Sequence, residues 1–345
     1  MKVVFGNSIF GYLLYGGAEV QLEQTRFHLI KLGINVELFN QWDKDILKNV
    51  DVLHWFHIDA NSFEIIRLAK KRGIKIVVSS IFWPLTNEYL QAIWSRFLSL
   101  LYRLKIPFTT YTALQKEVLY LADAVVVSSD SEGAKISKIF GVSERKIYTV
   151  PVGVSQSFIN ASPDIFVEKY HLKDFILCVG RVEPRKNQLN LLRATKDFDI
   201  PVVIIGDCTV NSVYYEKCLN IRHSNVYFLG KINYDDELLK SAYAAARVLV
   251  MPSTLETPGL VALESALVGT RIVITKYGNT YEYFENYVEY VEPYSVRSIR
   301  EGILKAMNIP DMKVEELRNK VMNNYTWEKI AEKMYNLYQE LIGRI

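Results

Sequence analysis

Short apolar runs recur along the chain at 2–5, 35–39, 51–56, 75–80, 124–129 and 147–151. They recur again at 175–180, 202–206, 226–230, 248–253 and 271–275. Between the early runs, 18–32 and 62–72 carry apolar residues at helical spacing. Strands alternating with helices predict parallel α/β layers. The pattern restarts after a polar stretch at 154–172 that contains Pro163. Two doubly wound sheets in tandem therefore fit better than one large sheet. Ligands of such sheets lie at the carboxyl ends of the strands. With two facing domains, the natural site is the cleft between them. The chain closes on Trp327, Ile330, Ala331, Met334, Leu337, Tyr338 and Leu341, whose spacing predicts a terminal helix.

One strand-to-helix junction carries candidate chemistry. Glu256 and Glu264 flank a Pro258-Gly259 turn just after the apolar run 248–251. A helix is predicted from the turn, with Leu260, Leu263, Leu267 and Val268 on one face. Backbone N–H groups at such a turn attract anions, those of Gly259 and Leu260 first. Glu264, about one turn further in, can accept hydrogen bonds from sugar hydroxyls. A phosphate site with flanking carboxylates suggests a nucleotide sugar. Arg181 and Lys186 likewise follow a strand and precede a helix, continued by Leu189 and Leu192. Two cations there make a diphosphate clamp, able to stabilise charge on a departing phosphate.

Composition narrows the classes. The 345 residues suggest two domains, and 50% hydrophobic with 23% charged residues is globular. A net charge of +3 argues against a dedicated nucleic-acid binder. Residues 1–154 hold 18 Lys and Arg against 14 Asp and Glu, a net of +4, and the remainder holds 23 against 24. A mildly basic first half suits an anionic membrane surface or an anionic acceptor, or is ordinary solvated surface. Cys178, Cys208 and Cys218 match no zinc spacing and read as small hydrophobes in a reducing compartment. Met1-Lys2-Val3-Val4-Phe5 enters a strand pattern directly, and no apolar run reaches the ~20 residues of a membrane span. The expectation is a cytoplasmic protein, with room for peripheral contact at the inner membrane face. Trp94, Phe97, Leu98, Leu101 and Tyr102 fall at helical spacing, with Arg96, Arg103 and Lys105 among them. A core face is the favoured reading of this stripe and a lipid-facing surface the other. Asp197-Phe198-Asp199 lies in a helix-to-strand connection and does not read as a metal site.

These motifs, in order, resemble the retaining GT-B glycosyltransferases of glycosyltransferase family 4 (glycosyl transferases group 1). The matching segments are Gly16-Gly17-Ala18-Glu19, Asp51-Val52-Leu53-His54, Pro151-Val152-Gly153-Val154-Ser155, Gly180-Arg181-Val182-Glu183-Pro184-Arg185-Lys186-Asn187, Glu256 to Glu264, Val291-Glu292-Pro293 and Trp327-Glu328. The resemblance implies two Rossmann-like domains facing across a cleft. An acceptor-binding domain would span 1–155 and a donor-binding domain 156–325. The helix 326–345 would cross back onto the first domain. It implies transfer of a sugar from a nucleotide-diphosphate sugar to a sugar or lipid-linked glycan acceptor, with retention and without metal or other cofactor. Arg181 and Lys186 would stabilise the leaving group, Glu256 orient the sugar and Glu264 the ribose. Gly180, Pro258, Gly259 and Leu260 would line the donor. Gly16 and Gly17 would let backbone approach the diphosphate. His57 is either a residue near the reacting sugar or a packed histidine. Ser80-Ile81 occupies the position of a His-Asp-like pair in relatives. The aromatic loop 7–15 is either acceptor-facing or simply packed. A sugar-nucleotide epimerase of GT-B-like fold and a non-catalytic nucleotide-sugar-binding subunit are the alternatives.

Overall fold

The structure is a computed structural model that describes residues 1–8, 16–84, 88–104 and 110–343. From residue 9 on, the 7–15 loop lies outside them, as does Lys105. Two compact units form, one of residues 1–153 with 327–345, the other of 154–326.

In the first unit the chain runs β1 (Lys2–Gly6), α1 (Gly17–Lys31), β2 (Asn35–Leu38), β3 (Val52–Phe56), α2 (Phe63–Lys71) and β4 (Lys75–Ser79). It continues through α3 (Glu88–Arg103), α4 (Tyr111–Leu121), β5 (Ala124–Val127), α5 (Asp130–Phe140) and β6 (Ile147–Thr149). The strands form one parallel six-stranded sheet in the order β2-β1-β3-β4-β5-β6.

The second unit opens with α6 (Asp164–Tyr170), β7 (Phe175–Val179), α7 (Gln188–Ala194), β8 (Val202–Ile205), α8 (Ser212–Ile221) and β9 (Val226–Phe228). It goes on through α9 (Glu237–Ala245), β10 (Ala246–Met251), α10 (Leu260–Val268), β11 (Arg271–Thr275), α11 (Thr280–Phe284), β12 (Glu289–Val291), α12 (Val296–Ala306) and α13 (Asp311–Asn324). Its sheet is also parallel and six-stranded, in the order β12-β11-β10-β7-β8-β9. Both faces are apolar. Leu177, Leu249 and Ile274 pack into one core cluster, and Ile176, Val250 and Val273 into another. Strand order reverses between β1 and β3 in the first sheet and between β7 and β10 in the second. These are the switch points where open α/β sheets bind ligands.

The last helix, α14 (Trp327–Gly343), packs on α1 within the first unit. Its Tyr338 hydroxyl meets His54 Nδ1 at 2.6 Å, and His54 Nε2 meets Ser79 Oγ at 2.8 Å. Burial pushes the His54 imidazole down to about 3, so it is neutral and structural. At the head of the helix a Cβ on Gly153 would lie 2.4 Å from the Trp327 ring. Trp327 is fully buried, so the ring has nowhere to go. Gly153→Ala is therefore expected to destabilise the first unit by about 1–3 kcal/mol, as overpacking does. Equilibrium denaturation followed by tryptophan fluorescence checks this.

Two expectations need correction. The stripe favoured as core divides: Leu98 and Leu101 are half-buried, whereas Trp94 and Phe97 are turned to solvent, and the Tyr102 side chain lies outside the described residues. Trp94 is 58% and Phe97 50% exposed, while the face of α3 that packs inward is small, with Ser95 at 0%. The cysteines were read as small buried hydrophobes, which holds for Cys178 and Cys218, but Cys208 is only half-buried, in the loop after β8. The short edge strand β12 escaped prediction because its three residues include a charged Glu289 and a half-buried Tyr290.

Candidate functional site

The chemistry of the second unit gathers at its switch point. The loop after β7 carries Gly180, Arg181 and Lys186, and the turn after β10 carries Glu256, Pro258 and Gly259. Because β7 and β10 are neighbours, residues 70 positions apart meet: Lys186 Nζ lies 2.6 Å from Glu256 Oε1. The stem of Lys186 passes over the Cα of Gly180, where a Cβ would lie 3.2 Å from Lys186 Cε. The two loops are stitched by hydrogen bonds to backbone carbonyls as well. Thr254 N–H donates to the Arg185 carbonyl at 2.8 Å, and Asn187 Nδ2 donates to the Pro252 and Pro293 carbonyls at 2.9 and 2.7 Å. Arg181 is more exposed, its nearest acid being Glu183 at 3.8 Å.

Glu256 is ionised despite its burial. Burial alone pushes its carboxyl up, but Lys186, by charge and hydrogen bond, and Arg185 more than offset this and hold it below the ordinary range. Its backbone is fixed from a third loop. A Cβ on Gly278, which follows β11, would stand 1.8 Å from the Glu256 carbonyl oxygen. Asn279 N–H donates to that carbonyl, and Glu256 N–H donates to Tyr277 O. Gly278 was missed by sequence reasoning, and Asn187 stood there only as the end of the 180–187 motif, with no role. Gly278, in a Tyr-Gly-Asn turn after the 271–275 run, carried a turn signal that could have found it.

Gly259 begins α10 at φ +95, backbone that favours glycine, and its Cα faces the Glu256 carboxylate. No side chain caps this helix. The Leu260 and Val261 N–H groups thus stand at a helix start without intrahelical acceptors, which draws negative charge. The predicted amphipathic face is broader than expected, since 262–267 are all buried. Glu264 is among them. Its Oε2 accepts a hydrogen bond from the Tyr243 hydroxyl of α9 at 2.5 Å. The arrangement thus offers a partly exposed arginine, one shared ion pair, uncapped amides and a buried carboxyl.

Burial pushes the Glu264 carboxyl up to about 7, against the opposing Tyr243 hydrogen bond. Below pH 4.5, the ordinary value, folded and unfolded chains both hold this proton. Between there and about 7 only the folded chain does, so stability falls as pH rises through that window. The full drop is about 3 kcal/mol from this group alone, at 1.36 kcal/mol per pKa unit. Glu264→Gln is expected to flatten that part of the profile, measured by urea denaturation at about pH 5 and about pH 8.

In the first unit, the residues at the switch point form a pocket of about 370 Å³, lined by Ser8, Glu19, His57, Asp59, Ser80 and Tyr111 among others. His57 follows β3 at φ +72, with its N–H donating to Ser79 O at 2.9 Å. Burial pushes its imidazole below the usual value, offset in part by Glu19 and Asp59. It is a neutral hydrogen-bonding ring at physiological pH. Ser80 and Ile81 line the same pocket, and their loop rests on a buried acid. Glu132 accepts from Ser80 Oγ at 2.5 Å, Phe82 N–H at 2.8 Å and Ser128 N–H at 2.7 Å. Gly16 is extended (φ −160), and its N–H donates to Glu19 Oε2 at 2.9 Å, capping α1. Gly17 is the first residue of that helix. A second pocket of about 450 Å³ adjoins Ser8 and Asp59, with Asn40, Trp42 and Asn61 along it. Among the described residues no cluster of three His, Cys, Asp or Glu is placed to hold a metal.

Comparison with known proteins bears on both units. Residues 165–326, nearly all of the second unit, match the model of the family described as glycosyl transferases group 1. An uncharacterized glycosyltransferase of Methanocaldococcus jannaschii is 29% identical over 250 residues, 65% of this chain and 63% of that protein. The O-antigen chain mannosyltransferase B of Escherichia coli is 26% identical over 242 residues, 65% of this chain and 62% of that one. The chain thus spans a little over three fifths of these relatives. Among solved structures, sucrose-phosphate synthase from Thermosynechococcus elongatus superposes with TM-score 0.77 at 18% identity, covering all of both chains. The Anabaena protein HepE, solved with UDP, superposes with TM-score 0.75 at 15% identity, covering 99% of this chain and 100% of that one. The fold is that of the GT-B proteins.

Proposed function

We propose that this chain, whose residues 165–326 match the model of the glycosyl transferases group 1 family, moves a sugar from a nucleotide-diphosphate donor to an acceptor hydroxyl with retention of configuration. The observation that carries this reading is the Lys186–Glu256 pair beside the uncapped start of α10, at the switch point of the second sheet. A diphosphate there would be met by Arg181, by the remaining Lys186 donors and by the Leu260 and Val261 amides. The anomeric C–O bond to the diphosphate breaks, and the acceptor oxygen bonds to the same face of that carbon. The acceptor proton passes to the departing phosphate oxygen. Fixed cations lower this barrier because the negative charge grows where they already stand.

Glu256, ionised and held by its backbone, is placed to accept hydrogen bonds from sugar hydroxyls. Glu264, as the buried partner of Tyr243, serves the ribose only after its side chain turns outward. The pocket with neutral His57, Asp59 and Tyr111 suits a hydroxyl-rich acceptor, and a role in bacterial polysaccharide or glycoconjugate synthesis follows the character of the Escherichia coli relative.

The test incubates the chain with UDP-, GDP- and TDP-sugars, with and without a panel of oligosaccharide and polyprenyl-phosphate-linked acceptors. Products are read by NMR. Acceptor-dependent product with the donor's anomeric configuration is expected. Change of the donor sugar without acceptor would make the chain an epimerase, and nucleotide binding without any turnover a binding subunit.

A further inference from the structure

Helix α3 is built inside out. Its inward face is small, with Ala92, Ser95 and Ser99 buried where it packs on α4 and α5. Its outward face carries Leu90, Ile93, Trp94, Phe97 and Leu100, all at least half exposed, with Leu104 just beyond. These positions follow i, i+3, i+4, i+7 spacing and form one stripe along the helix. Trp94 and Phe97 stack edge to face at 6.0 Å rather than against the protein. A contiguous apolar stripe turned to water marks an interaction surface.

Charge selects the occupant. Residues 88–105 carry Arg96, Arg103 and Lys105 against one acid, Glu88. Arg96 is exposed beside the stripe. Glu88 is already shared by Lys135 at 2.7 Å and Lys138 at 3.0 Å, two cations of α5 for one carboxylate. A second copy meeting this face across a two-fold axis would set the same cations against one another. An apolar stripe with aromatic members and exposed Arg96 beside it instead matches an anionic bilayer surface, where Trp sits at headgroup depth. No helix among the described residues is long and apolar enough to cross a membrane.

We propose that α3 docks in the plane of an anionic membrane surface, with the Leu90–Ile93–Trp94–Phe97–Leu100 stripe sunk among the lipids and Arg96 at their phosphates. This rests on α3 alone and stands whether or not the chain transfers sugar.

The full chain would be sedimented with vesicles of phosphatidylcholine alone and of phosphatidylcholine mixed with phosphatidylglycerol. Binding to the mixed vesicles is expected, falling steeply as salt screens the charges. Replacing Ile93 and Phe97 together by serine should weaken it at least about tenfold, since both lose apolar burial. Arg96→Glu, which leaves the stripe intact, should weaken binding to the mixed vesicles only. Circular dichroism confirms that each variant is folded. Absence of binding to mixed vesicles, equal binding to both vesicle types, or binding untouched by both variants would overturn the proposal. So would a dimer in analytical ultracentrifugation that the serine variant dissolves, if no vesicle binding accompanies it.

Discussion

Lys186→Gln is expected to lower the rate of sugar transfer on the order of 10²–10³-fold, the usual cost of losing one fixed donor to a developing charge. Glutamine is the sharper substitution because it preserves a hydrogen bond to Glu256 while removing the charge. Alanine would leave Glu256 buried without its cation, and breaking such a pair costs about 3–5 kcal/mol of stability. The Lys186 and Glu256 side chains are only 14% and 6% exposed, so that penalty applies here. A purely structural role is separable from a catalytic one. If Lys186 only stabilised the turn, transfer by Lys186→Gln would return to the wild-type rate at temperatures where the variant is fully folded. If Lys186 stabilises the leaving diphosphate, the rate stays low in the fully folded variant. Denaturation and initial rates, measured on the same two proteins, check this.

Gly278→Ala is expected to cost about 3 kcal/mol or more, combining a forced left-handed backbone with a backbone clash. Gly278 sits at φ +110, and the added Cβ would stand 1.8 Å from the Glu256 carbonyl oxygen. Neither atom is the end of a flexible side chain, so the relief must come from moving the Glu256 turn itself. Loss of nucleotide binding should accompany the loss of stability, because that turn presents both Glu256 and the start of α10. Urea denaturation and nucleotide titration of the same variant check the two effects. Asn279→Ala, which keeps the backbone N–H bond to Glu256 O, is the milder control.

The strands were legible because both faces of each parallel sheet are buried, so Val202-Val203-Ile204-Ile205 or Val125-Val126-Val127 stands out as a continuous apolar run. Edge strand β12 lacks that signature. Spacing located α3 but not the direction of its apolar face. Periodicity says which residues share a side, and only packing says what that side meets. Here Ala92, Ser95 and Ser99 let the helix approach its neighbours closely and leave the large side chains outside. The site shows the same division. Lys186, Glu256 and Gly259 could be singled out from local turns and charges. Their joining could not, since the Lys186–Glu256 contact depends on β10 lying beside β7, with β8 and β9 on the far side. Tyr243 under Glu264 and Glu132 under Ser80 were hidden for a similar reason, being buried partners supplied by other elements.

The central claim is that the switch point of the second sheet is a nucleotide-diphosphate site built on Lys186 and the start of α10. Isothermal titration of UDP, GDP, ADP, CDP and TDP into the wild-type chain and Lys186→Gln tests it most directly. A charge-assisted hydrogen bond to phosphate contributes about 1.5–3 kcal/mol, which is roughly a tenfold to hundredfold change in Kd. One of these nucleotides should bind the wild-type chain saturably at a single site and bind the variant weaker by that factor. No binding of any of the five, or equal affinity in the variant, would contradict the account.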